Sequence, residues 1–162
     1  MSKSKLKKFH SIDNMNHVIQ PSRQELLSNT SKLKGNWHKW FNNNNPIILE
    51  LGCGKGEYSI GLSRLNPHAN YIGIDIKGSR IYSGAKIVDE EKWNNVAFLR
   101  MQIEYLDYAF DENEISEIWI TFPDPQIKFN RRSKRLTSPL MLAKYKFLLQ
   151  NKGVIHLKTD SL

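Results

Sequence analysis

The apolar run Ile47-Ile48-Leu49-Glu50-Leu51 ends on Gly52, and Gly54 and Gly56 follow at alternate positions. A short run of this kind, bounded by glycines, reads as a strand buried on both faces. A helical stretch follows to about Leu65, where Asn66-Pro67 stops it. A strand that feeds a glycine turn and then a helix opens a βαβ unit, which restricts the chain to a parallel sheet with helices on its faces.

The rest of the sequence repeats that alternation. Strands are expected over 71–76, 96–101, 115–122 and 153–157, with helices over 78–92 and 138–150 and a short helix or turn over 103–110. Within 138–150, Leu140, Leu142, Tyr145 and Leu148 fall on or near one helical face. Segment 22–34 reads as a short helix capped by Ser22. Four asparagines, Asn42 to Asn45, lead into Pro46 and mark a linker. The expected organisation is a basic N-terminal arm with a short helix over 1–45 and an α/β domain over 46–162. A chain of 162 residues, 40% of them hydrophobic, has material for one compact core.

Charge divides the chain in three. Residues 1–46 hold eight Lys/Arg against two acids, 47–127 hold seven against thirteen, and 128–162 hold nine against Asp160 alone. An acidic middle between basic ends suits a polyanionic partner such as nucleic acid, although a solvated basic face would look the same. The lone cysteine, Cys53, excludes an intramolecular disulfide and reads as a packing residue. With no apolar leader segment, that points to the cytoplasm. No apolar run of about 18 residues is present, so no membrane span is expected. The five histidines are scattered without metal-ligand spacing, so no metal is expected.

The glycine spacing narrows the cofactor. A dinucleotide site reads G-x-G-x-x-G, whereas this loop reads G-x-G-x-G, and no Lys-Ser/Thr pair follows for a nucleotide triphosphate. An NAD-dependent reductase fails on the same glycine spacing. Asp75 lies 25 positions after Glu50, at the end of the second expected strand, where a carboxylate can accept from both ribose hydroxyls. The loop resembles the first motif of class I methyltransferases. That resemblance implies S-adenosyl-L-methionine as cofactor, held by Glu50, Gly52, Gly54, Gly56 and Asp75, with Gln102 at the adenine edge in place of the family's usual Asp.

The most specific segment follows the fourth strand. Phe122-Pro123-Asp124-Pro125 is stiffened by two prolines, which suits a carboxylate held in one place. Lys128, Arg131, Arg132, Lys134 and Arg135 then place five cations in eight residues. This segment resembles bacterial tRNA (guanine-N7-)-methyltransferases, which read F-P-D-P-W-P-K-K-R-H-x-K-R-R-L here and end a later strand in K-T-D. Phe122, Pro123, Asp124, Pro125, Lys128, Lys134, Arg135 and Leu136 match, as do Lys158, Thr159 and Asp160. Gln126, Ile127, Phe129, Asn130, Arg131 and Ser133 depart from it.

The resemblance covers roughly 46–160. It implies a Rossmann-like methyltransferase domain that transfers a methyl group to N7 of a guanine in tRNA, in the variable loop; the oligomeric state, monomer or homodimer, is left open. Asp124 is then the candidate catalytic and cofactor-positioning residue, Lys128 and Asp160 contact the RNA, and Arg131, Arg132, Lys134 and Arg135 bind substrate. A full sheet of that family has two more strands and a downstream T-x-x-E-like motif, so a sheet cut short after the fifth strand is expected. Two other readings stay open: a class I methyltransferase with another RNA or protein acceptor, and a non-catalytic module binding cofactor and RNA.

Overall fold

The computed structural model describes residues 8 and 10–160. The basic arm expected over the first ten residues lies almost wholly outside that range. Six parallel strands form one sheet in the order β1-β4-β3-β2-β5-β6. They are β1 (Val18–Ile19), β2 (Ile47–Leu51), β3 (Asn70–Asp75), β4 (Val96–Arg100), β5 (Ile115–Thr121) and β6 (Leu149–Lys158). The helices are α1 (Arg23–Leu27), α2 (Trp37–Phe41), α3 (Glu57–Leu65), α4 (Gly78–Glu91), α5 (Leu106–Ala109) and α6 (Pro139–Leu148).

β2 pairs with β3 on one side and β5 on the other. The chain steps outward from β2 through β3 to β4, then returns across the sheet to β5. Strand order reverses at β2, and a ligand crevice opens where the strand carboxyl ends diverge at such a point. The alternation of side chains along each strand feeds two cores. Leu49, Leu51, Ile72, Ile74, Ala97 and Leu99 face one, with Trp37, Phe110 and Tyr145. Ile48, Tyr71 and Phe98 face the other, with Ile60, Ile81 and Val88. Each fully buried Ile, Leu or Phe contributes about 1.5–3 kcal/mol relative to exposure, so β2 through β4 are the most strongly anchored part of the fold.

Four expectations are corrected. The sheet has six strands rather than five, because two-residue β1 is too short to leave a pattern; it docks on β4 and His17 O accepts from Phe98 N at 2.8 Å. The helix expected over 22–34 is only α1, with its Ser22–Glu25 capping box present, because the chain turns at Asn29 with φ 56°. The division at Pro46 has no counterpart in packing: Ile12, Leu26, Trp37 and Phe41 are buried in the same cores, and α2 had no expected counterpart. On α6 the buried face is Met141, Tyr145 and Leu148, spaced i, i+4, i+7, while Leu140 and Leu142 are exposed.

Candidate functional site

The crevice is built from the glycine loop upward. Gly52 N and Cys53 N both donate to Ile74 O, at 2.8 and 3.0 Å, which ties the loop to the end of β3. Gly52 has φ 73° and nothing within 4 Å of where a Cβ would stand, leaving open space above its backbone. Gly56 precedes α3 with φ 75°, and a Cβ there would come within 2.4 Å of the Phe98 ring. That position tolerates no other residue without movement of the core.

Glu50 is buried beneath this loop. Its carboxylate accepts from Ser59 N and Ser59 Oγ at 2.8 and 2.6 Å, and from Thr121 Oγ1 at 3.1 Å. Burial raises its pKa, opposed by the Ser59 and Thr121 hydrogen bonds. Glu50 therefore joins the start of α3 to the end of β5 and stands below the crevice. Cys53 is buried as expected, and burial pushes its thiol well up, which suits packing and not nucleophilic chemistry.

Asp75 projects at the end of β3. Its Oδ2 accepts from Gly54 N at 2.9 Å and its Oδ1 from Lys77 N at 2.8 Å. Each oxygen keeps a further lone pair for a ligand hydroxyl. Gly52, Asp75 and Gln102 line one cavity of about 480 Å³, walled by apolar Ile76, Met101 and Met141. Ser133 and Lys134 from the basic segment also line it. The structure thus brings Gly52, Asp75 and Gln102 together and leaves Glu50, Gly54, Gly56 and Asp124 outside the lining of that cavity.

A second cavity, about 330 Å³, lies between the β5 and β6 ends, lined by Asp124, Arg135, Leu157 and Thr159 among others. Leu136 lines both cavities. Buried Tyr145 donates to Leu136 O at 2.8 Å and so fixes that shared wall. Asp124 is exposed, and its Oδ1 accepts from Gln126 N at 3.0 Å in an Asx turn. The Arg135 guanidinium donates to Gln126 O, closing the loop. Lys128, Arg131, Arg132, Lys134 and Arg135 are all exposed in or beside a 3-10 turn, Phe129–Lys134. Asp160 is exposed just past β6.

A family model described as "Putative methyltransferase" matches residues 44–162. A tRNA (guanine-N(7)-)-methyltransferase of Christiangramia forsetii is 56% identical over 161 residues, 99% of this chain and 72% of that protein. One of Bacteroides fragilis is 48% identical over 162 residues, 99% of this chain and 64% of that protein. The chain belongs to the tRNA (guanine-N7-)-methyltransferase family. It spans 64% to 72% of the length of these two relatives.

Among solved structures, a 30S ribosomal A1408 methyltransferase from an uncultured bacterium superposes with a TM-score of 0.59 at 17% identity, over 75% of this chain and 57% of that one. The 16S rRNA methyltransferase KamB gives 0.57 at 19% identity, over 70% and 52%. These likenesses establish the Rossmann-like class I methyltransferase fold expected from the alternating strands and helices.

The family motifs pointed to the loop acids and cations but not to what supports them. Ser59 and Thr121 act by hydrogen bonding at a distance in sequence, and no local spacing marks them; Leu136 and Tyr145 were visible in the sequence, but the hydrogen bond that joins them was not. Among the described residues no group of three or more His, Cys, Asp or Glu could hold a metal, and no helix is long and apolar enough to cross a membrane.

Proposed function

We propose that this chain methylates N7 of a guanine in tRNA, in the variable loop, using S-adenosyl-L-methionine. The observation that carries the reading is the pair of adjoining cavities sharing Leu136, one with Asp75 at a strand end, the other with Asp124 between two prolines. The first cavity fits the cofactor: a carboxylate with free lone pairs for ribose hydroxyls, an amide at Gln102 for the adenine edge, and apolar walls for the ring. No cradle for a pyrophosphate is needed, and none of the loop's spacing provides one. The cofactor, when bound, supplies an electrophilic methyl group on a sulfonium centre.

The remaining work falls to the chain's own residues. N7 of guanine carries a lone pair and no proton, so the acceptor needs alignment and exclusion of water more than a strong base. Asp124, held by its Asx turn, positions the base at the boundary of the cavities. Its carboxylate also opposes the positive charge that the base gains on methylation. Lys128, Arg131, Arg132, Lys134 and Arg135 offer phosphate contacts, and Asp160 with Lys128 frames the acceptor. Glu50, Gly54 and Gly56 hold the cofactor indirectly, through Ser59, Asp75 and the start of α3. We take the chain to work in the cytoplasm, as a monomer or homodimer, on tRNA.

The test is incubation of the purified chain with labelled S-adenosyl-L-methionine and unmodified tRNA transcript, followed by digestion and mass spectrometry. 7-Methylguanosine is expected with the parent chain and its loss with Asp124→Ala. Parent activity that yields a different methylated base, or undiminished turnover by Asp124→Ala, would overturn the reading.

A further inference from the structure

On the face of the sheet that carries α3, three residues that the site described above does not use stand together. Tyr58 lies in the first turn of α3, two residues after Gly56. Phe122 follows β5 and directly precedes Pro123 and Asp124. Lys158 ends β6. The Tyr58 and Phe122 rings meet edge-on, centroids 6.5 Å apart at 62°. Lys158 Nζ donates to Tyr58 Oη at 2.6 Å and lies 5.3 and 5.4 Å from the centres of the Tyr58 and Phe122 rings. The ammonium is hydrogen-bonded to the Tyr58 hydroxyl and within cation–π reach of the Phe122 ring, so it ties together two rings from different elements.

Packing alone does not account for the arrangement. Phe122 has φ 47°, a conformation that a bulky side chain rarely adopts. Its N–H is nevertheless anchored, donating to Lys158 O at 2.8 Å. The strained backbone does not bury the ring, which stays half exposed. A disfavoured conformation that presents an aromatic face to solvent, one residue from a proline and two from the acceptor-site acid, is placed for use by a ligand. Unpaired nucleobases are bound by stacking on aromatic faces, with cations for the neighbouring phosphates, and the basic segment 128–135 adjoins this platform in sequence.

We propose that Tyr58 and Phe122, oriented by Lys158, form the platform on which the acceptor base of the RNA stacks before methyl transfer. The proposal rests on the reading of the chain as an RNA methyltransferase. Tyr58 and Phe122 touch the base, and Lys158 is a positioning residue that acts through them. Asp124 then approaches the edge of a base that lies against the exposed Phe122 face, with Tyr58, inclined at 62°, meeting its rim. A base splayed out of its strand is presented at the cofactor crevice from the α3 side of the sheet.

The experiment is a binding cycle with the full chain and two RNAs: a tRNA transcript, and the same transcript with an abasic nucleotide at the methylated position. The parent chain is expected to bind the intact RNA about 5- to 150-fold more tightly, the range that base–aromatic stacking supports. Phe122→Leu and Tyr58→Leu should shrink that ratio towards one, and Phe122→Trp should keep it. Lys158→Met should reduce it less, because the rings remain. Phe122→Gly suits the positive φ and should keep the parent's melting temperature while losing base discrimination, which a merely structural role for the ring would not produce. A parent that methylates tRNA while Phe122→Leu and Tyr58→Leu keep the full ratio overturns the platform alone. A parent that forms no 7-methylguanosine overturns the functional reading, and the platform falls with it.

Discussion

The two sides of the crevice are built by different means. On the cofactor side, β2 to β4 are buried, and the loop between β2 and α3 is held by backbone hydrogen bonds to Ile74 and Asp75. On the acceptor side, residues 127–135 are all exposed, and the 3-10 turn there has no side-chain cap. Phe122 and Gln126 adopt positive φ without the freedom of glycine. The contrast follows from ligand size. A small cofactor must find every partner already in place, since it buries little surface of its own. A large polyanion brings its own shape, so the acceptor side can expose flexible cations and fix only a few anchors.

If stiffness is concentrated on the cofactor side, the smallest change there should cost most. Gly56→Ala places a Cβ 2.4 Å from the Phe98 ring at φ 75°. Overpacking and left-handed strain together should lower stability by about 3–4 kcal/mol, read from urea unfolding. Ser133→Ala in the exposed turn should be neutral within about 0.5 kcal/mol. Equal effects would break the contrast.

Asp75→Ala comes next. It removes the acceptor of Gly54 N and Lys77 N as well as the two oxygens offered to the cofactor. Loss of charge-assisted bonds worth about 1.5–3 kcal/mol each predicts cofactor binding weaker by roughly 100-fold or more in calorimetry. Affinity for tRNA without cofactor should hardly change, because Asp75 belongs to β3 and not to the basic segment. A parallel fall in RNA binding would mean that the two sides are not separate.

How far the sequence revealed each side also differs, and for a physical reason. The spans of β2 to β5 and the place of Asp75 at a strand end were legible, because burial on both faces and a glycine turn leave a local pattern. β1 was not, since two residues cannot show a period and its pairing with β4 is settled by contacts some eighty residues away. The face of α6 was misjudged for a related cause: Leu140 and Leu142 are as apolar as Met141, and only the position of the sheet decides which side turns inward. Glu50 was legible as an acid near the end of β2, but its partners Ser59 and Thr121 come from α3 and β5, so its burial beneath the glycine loop was not.

Glu50 gives a smaller effect, with a definite sign. Burial raises its pKa in the folded chain, so the folded state holds the proton more tightly than the unfolded state does. Its contribution to stability is complete at pH below the ordinary glutamate range. It is lost as pH rises from there through the raised folded value, because the unfolded chain releases its proton first. Glu50→Gln should flatten that decline in a series of urea midpoints against pH, with a change of about 1 kcal/mol at neutral pH from altered hydrogen bonding. An unchanged slope would move the titration to another group.

The smallest effects belong to the exposed cations, and they separate two roles that sequence alone cannot. Lys134 lines the cofactor cavity, whereas Arg135 lines the second cavity and braces Gln126 O. A phosphate contact contributes roughly one unit to the slope of log affinity against log salt. Lys134→Ala and Arg135→Ala should each reduce that slope by about one unit in tRNA binding, with no loss of melting temperature beyond about 1 °C. If Arg135 serves chiefly as a brace, its alanine variant keeps the salt slope and weakens turnover through Asp124 instead. Lys134 offers the sharper comparison: a reduced slope together with unchanged cofactor affinity places its charge on the RNA although its side chain borders the cofactor cavity. Weaker cofactor binding with the slope intact assigns Lys134 to the cofactor side, and the boundary between the two halves then runs through the basic segment itself.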